Sequence, residues 1–130
     1  MTPVLVDTSV WVDHFRRGNE ALVALLVQDR VLIHPCILGE IACGTPPRRA
    51  QTLADLASLQ AAQQASLPEM LDFIEREQLF GRGCGWVDLQ LLAATCLSEG
   101  AVLWSLDLRL QALAETLDTT QYFVGNGSVE

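Results

Sequence analysis

The chain has no lysine, no Cys-x-x-Cys pair, only two histidines and no apolar run near the ~20 residues that a helix needs to cross a bilayer. Each absence closes off a class. All eight basic residues are arginine, set against sixteen Asp and Glu, for a net charge of −8. Such a surface does not coat nucleic acid electrostatically on its own. The cysteines Cys36, Cys43, Cys84 and Cys96 lack structural-zinc spacing and read as small buried side chains, with Cys36 and Cys43 able to share a helix face. His14 and His34 are too few and too scattered for imidazole acid–base chemistry; His34, just after a strand, is expected to be packed or hydrogen-bonded. No basic segment followed by an apolar run opens the sequence, so no secretory signal is read, and a soluble, cytoplasmic protein without membrane attachment is expected. Half of the residues are hydrophobic and 18% are charged, which excludes disorder, and 130 residues suit a single domain over 1–130 with one core.

What is present is an alternation of short apolar strands and helices, with no repeat or linker. "VLV" (4–6), "VLIH" (31–34) and "AVLW" (101–104) read as buried strands, and "YFV" (122–124) as a fourth. Thr8 or Ser9 is a candidate cap for a first helix reaching about Phe15, ended by "RRGN". Further helices are expected at 20–28, from Pro35 to about Gly44, at 48–64, 67–77, 86–98 and 107–117. Leu67, Met70, Leu71 and Ile74 should share one face, as should Leu106, Leu110, Leu113 and Leu117. "GRGCG" (81–85) reads as a flexible approach to the helix at 86–98. The pattern implies an α/β sandwich around a parallel sheet.

Acids stand where a core is expected. In open parallel sheets functional groups sit just beyond the carboxyl ends of strands. Asp7 follows the first strand directly, and Ser105 and Asp107 follow "AVLW", so two strands deliver carboxylates to one edge. Glu40 borders the apolar face that carries Ile37 and Ile41. Asp88 lies in the first turn of a helix that looks buried all round. Singly, Asp7 and Asp107 read as helix caps, Asp88 as an acid favoured by a helix N-terminus, and Glu40 as solvated. Together they would repel one another unless neutralised, and oxygen-only ligands suit Mg²⁺ or Mn²⁺. Two such ions would offset half of the formal charge.

"VDTSVW" with Asp7, "LGEI" with Glu40, "GWVDLQLLAA" with Asp88 and "LWSLDLRL" with Ser105 and Asp107 resemble PIN-domain nucleases, and among these the VapC-type toxin ribonucleases of bacterial toxin–antitoxin pairs. The resemblance covers nearly the whole chain, in order. "DTS" alone is a weak signal; the four-part set is a strong one. No motif in 45–80 identifies a target.

The resemblance implies a PIN-like α/β/α sandwich with a short parallel sheet surrounded by helices, and Mg²⁺-dependent endonucleolytic cleavage of RNA by a metal-activated water. Asp7 and Asp88 would be direct Mg²⁺ ligands, with Glu40 and Asp107 completing the catalytic cluster directly or through water. Thr8 and Ser105 would orient ligands or waters by hydrogen bonds. Arg82 and Arg109 are candidate phosphate contacts, with Arg16, Arg17, Arg48 and Arg49 as a rim, though each reads equally as a solvated surface residue. Trp11 and Phe15, and Leu53, Leu56 and Ala57, read as core; the resemblance offers part of this surface as a groove for the tail of a cognate antitoxin protein, and implies a homodimer. A haloacid-dehalogenase-like phosphatase would need an acid where Ser9 stands, and a phosphoacceptor receiver domain would need a lysine. A PIN-fold module that binds RNA or protein without cutting remains the alternative.

Overall fold

The computed structural model describes residues 1–117. Its centre is three apolar triplets, β1 (Val4–Val6), β2 (Val31–Ile33) and, late in the chain, β4 (Val102–Trp104), every residue of which is buried. A two-residue strand, β3 (Gln60–Ala61), completes a four-stranded sheet in the order β3-β2-β1-β4. All pairings are parallel, with Val4 opposite both Val31 and Val102 and Val6 opposite Trp104. Parallel strands covered on both faces carry continuous apolar runs rather than alternation, which is why such short triplets are legible in the sequence.

Helices make the crossovers: α1 (Thr8–Arg17), α2 (Glu20–Val27), α3 (Pro35–Ala42), α4 (Arg49–Ala57), α5 (Leu67–Arg76), α6 (Trp86–Leu97) and α7 (Leu108–Thr116). The architecture is the expected α/β one, consistent with a PIN-like sandwich. None of the described helices is long and apolar enough to cross a membrane. Packing joins α1 to α3, α3 to α4, α5 to α6, and α6 to β4. Helix α6 is the inner helix, burying Leu89, Leu91, Leu92, Ala93, Ala94 and Thr95. The Thr95 hydroxyl donates to the Leu91 carbonyl at 2.8 Å, so its burial leaves no orphan. His34 is 2% exposed and caps α3, its Nδ1 accepting the Cys36 N–H at 3.0 Å. Burial lowers the pKa of this imidazole and so favours the neutral ring that the acceptor role requires.

Several expectations are corrected. The segment 48–64 is not one helix: α4 stops at Ala57, and 60–61 form the edge strand β3. Two exposed residues, Gln and Ala, carry no strand periodicity, and it is the open edge of β2 that recruits them. On α5 the buried pair is Met70 and Phe73, whereas Leu67 and Leu71 remain 59% and 57% exposed. Leu106 precedes α7 and is exposed, while Leu110 and Leu113 are buried. The cysteines are not core residues; Cys43 and Cys96 are exposed, Cys36 and Cys84 half-buried, and all four are unbridged. Ala57 is likewise exposed, while Leu56 is buried and Leu53 half-buried. The expected strand at 122–124 lies outside the described residues.

Candidate active site

The site is built on the carboxyl edge of the two central strands. β1 and β4 run side by side, and the Asp7 N–H donates to the Trp104 carbonyl at 2.9 Å. The residues that follow the two strands therefore meet. Asp7 is 8% exposed and occupies the N-cap position of α1, yet its side chain caps nothing. Neither Thr8 nor Ser9 is the cap. Instead one Asp7 oxygen, Oδ2, accepts the Ser9 hydroxyl at 2.7 Å and the Ser105 hydroxyl at 2.8 Å. Each serine oxygen is anchored in turn by a backbone N–H of the next turn of chain, Leu106 onto Ser9 and Asp107 onto Ser105, both at 3.0 Å. Gln111 Nε2 donates to the Ser105 carbonyl at 2.5 Å and ties that turn to α7. The result is a clamp that fixes the orientation of one buried carboxylate.

The other acids are held more simply. Asp107 caps α7, its Oδ1 accepting from the N–H groups of Arg109 at 2.9 Å and Leu110 at 3.4 Å. Glu40, exposed on α3, accepts the Thr8 hydroxyl on Oε1 at 2.6 Å, a tie between α1 and α3. Asp88, in the first turn of α6, reaches the Gly85 N–H with Oδ2 at 3.4 Å. Burial raises the Asp88 carboxyl above its ordinary value, partly offset by the Gly85 N–H, and the negative charges of Asp7, Asp107 and Glu40 push it further up. Asp88 therefore feels the charge of the other three acids.

Donor chemistry here fits a hard divalent cation. In each of the four carboxylates, one oxygen is engaged and the other accepts no hydrogen bond among the described residues. No ion pair neutralises any of them among those residues. As oriented they do not form a cage: no three His, Cys, Asp or Glu side chains among the described residues are grouped to hold a metal ion.

Cys84 borders the same space. Burial raises its thiol pKa, the charges of Asp88 and Asp107 raise it further, and Arg109 opposes them. Arg109 and Arg82 line one small cleft with Ala112, Leu113 and Thr116. The expected arginine rim is not brought together whole. Arg17 pairs with Asp13 at 2.7 Å, and Arg49 donates to the Ala42 and Gly44 carbonyls at the end of α3. Arg16 does reach the site's border, in a groove of about 360 Å³ that it shares with Thr8, Val12, Phe15, Glu40 and Ile41. Trp11 is core, 3% exposed. From the sequence, Ser9 reads as a candidate helix cap rather than a partner of Asp7, and Gln111 is not singled out. For Ser9 the signal was present in "DTS", where a second hydroxyl stands two residues after the acid; nothing in the sequence marks Gln111.

Two parallel strands followed by acids at one sheet edge, with a helix-borne acid whose carboxyl feels theirs, stand on an α/β fold consistent with a PIN-like sandwich. Comparison with known proteins narrows this. No family model matches the chain. It is 41% identical, over 109 residues covering 84% of this chain and 88% of the relative, to the protein named ribonuclease VapC32 of Mycobacterium tuberculosis strain H37Rv, and equally to that of strain CDC 1551. The chain belongs to the VapC ribonuclease family.

Proposed function

We propose that the chain is an Mg²⁺-dependent endoribonuclease acting as the toxin of a toxin–antitoxin pair. What supports the chemistry is that the charges of Asp7, Asp107 and Glu40 all act on the Asp88 carboxyl, while no ion pair neutralises any of the four among the described residues. Bound Mg²⁺ or Mn²⁺ would supply an activated water and relief of negative charge in an in-line displacement at phosphorus. Asp7 and Asp88 would hold it most directly, with Glu40 and Asp107 completing the set. Ser9 and Ser105 fix the Asp7 carboxylate so that its second oxygen faces away from the clamp. Thr8 does the same for Glu40. Arg82 and Arg109 would meet phosphates that the acids alone would repel.

The cytoplasm, with its RNA, is the setting this reading requires. A cognate antitoxin would seat an extended or helical tail in the groove beside Glu40, where Phe15, Val12 and Ile41 offer apolar contact and Arg16 a cation. A homodimer belongs to the same reading.

Incubation of purified protein with mixed RNAs tests it. Cleavage in Mg²⁺ that EDTA abolishes, and that Asp88→Asn lacks, is the expected result. RNA left intact in Mg²⁺ and in Mn²⁺ would favour the non-cutting module instead.

A further inference from the structure

Three of the chain's glycines lie within "FGRGCGW" (80–86), which leads straight into the site. Six aromatic side chains other than histidine lie among the described residues, and only two are exposed: Phe80 at 60% and Trp86 at 46%. They bracket this segment. Trp86 opens α6 two residues before Asp88. Neither ring stacks on another ring among the described residues. Leaving a Trp this open forgoes burial that the other two tryptophans take fully, Trp11 at 3% and Trp104 at 4%.

The same segment presents cations. Among the described residues Arg82 donates only to the Gln78 carbonyl, at 3.4 Å, and Arg109 lies over Gly83, its Cδ 3.5 Å from where a Cβ would stand. Gly83 has φ +85°, so the backbone there also disfavours any side chain. Neither arginine makes an ion pair among the described residues. Two guanidiniums without an ion pair among the described residues, on a chain of net charge −8, suit an anion from outside.

From this we infer that 80–86 is a substrate-reading segment for unpaired RNA: Trp86 and Phe80 stack on splayed bases next to the scissile phosphate, and Arg82 and Arg109 hold a neighbouring phosphate. Aromatic faces with interleaved cations suit single strands, because a paired base has no face to give. The inference rests on the ribonuclease reading and assigns its base contacts to Trp86 and Phe80.

The test is binding by the full chain carrying Asp88→Asn, in Mg²⁺, to three oligoribonucleotides of one length: single-stranded, fully paired, and single-stranded with abasic sites. Adding Trp86→Ala should weaken single-strand binding about 5- to 100-fold and leave duplex and abasic binding unchanged. Trp86→Phe should keep most of the affinity. Because Trp86 is the exposed indole, single-stranded RNA should quench tryptophan emission, and Trp86→Phe should remove that quench. Arg82→Ala should weaken single-strand and abasic binding alike and flatten the salt dependence. Equal affinity for single strand and duplex, no effect of Trp86→Ala, or no binding of any oligomer overturns the inference. Stacking-dependent binding by a chain whose unsubstituted form cuts no RNA would sink the nuclease reading and leave this one standing.

Discussion

The ends of β1 and β4 look alike and do different work. Each strand is a buried apolar triplet, each is followed by an Asp in the N-cap position of a helix, and the two strands are hydrogen-bonded neighbours. At the end of β4, Asp107 accepts two N–H groups and is a working cap. At the end of β1, Asp7 ignores its helix and accepts two serine hydroxyls on one oxygen. A cap needs only a local partner. Asp7 depends on Ser105, ninety-eight residues away in sequence, so its orientation is a property of the assembled sheet edge. One carboxylate stabilises a helix; the other is oriented by the assembled sheet edge.

Substitutions sharpen that contrast. The largest effect is expected at Asp88, which faces both: Asp88→Asn should reduce cleavage well beyond the 10- to 100-fold typical of supporting residues, measured by RNA turnover in Mg²⁺. Ser105→Ala should fall within that range of about 10- to 100-fold, because it frees the Asp7 carboxylate without removing it. Asp107→Ala should lower stability by about 1 kcal/mol through loss of the cap, read by denaturant unfolding, whereas Asp107→Asn should change it by only a few tenths, since Asn caps comparably. Asp107→Ala with unchanged stability would erase the distinction between the two strand ends.

The smallest effect is in pH. The Asp88 carboxyl is held above its ordinary value of 3.8, so the folded chain binds that proton more tightly than the unfolded one. Its contribution to stability is fully present in acid and is lost as pH rises through the raised value. In EDTA, any stability advantage of Asp88→Asn over the parent at neutral pH should therefore shrink as pH falls through that region, in paired thermal melts.

Much of this was legible in the sequence, for a physical reason. A strand buried on both faces leaves an unbroken apolar triplet, and an acid within a few residues of its end falls at the sheet edge; Asp7, directly after β1, and Asp107, three residues past β4, stand out on that account. Asp88 stands out because α6 is otherwise apolar. The edge strand at 60–61 was hidden because two exposed residues have no period, and the Leu67–Leu71 face was misjudged because helical spacing does not say which stripe turns inward. The different duties of Asp7 and Asp107 were hidden because both are adequate caps locally. The Ser9–Asp7–Ser105 clamp joins distant positions that only the β1–β4 register brings together.

The most direct test of a shared acidic site is a thermal melt of the parent and of Asp88→Asn, each in EDTA and in Mg²⁺ at neutral pH. Repulsion among the four acids predicts that Asp88→Asn melts higher in EDTA. Preferential binding to the folded state predicts that Mg²⁺ raises the parent's melting temperature, and raises the variant's less. An Asp88 that merely favours the start of α6 predicts a variant that melts lower in EDTA and responds to Mg²⁺ as the parent does; that result would contradict the account.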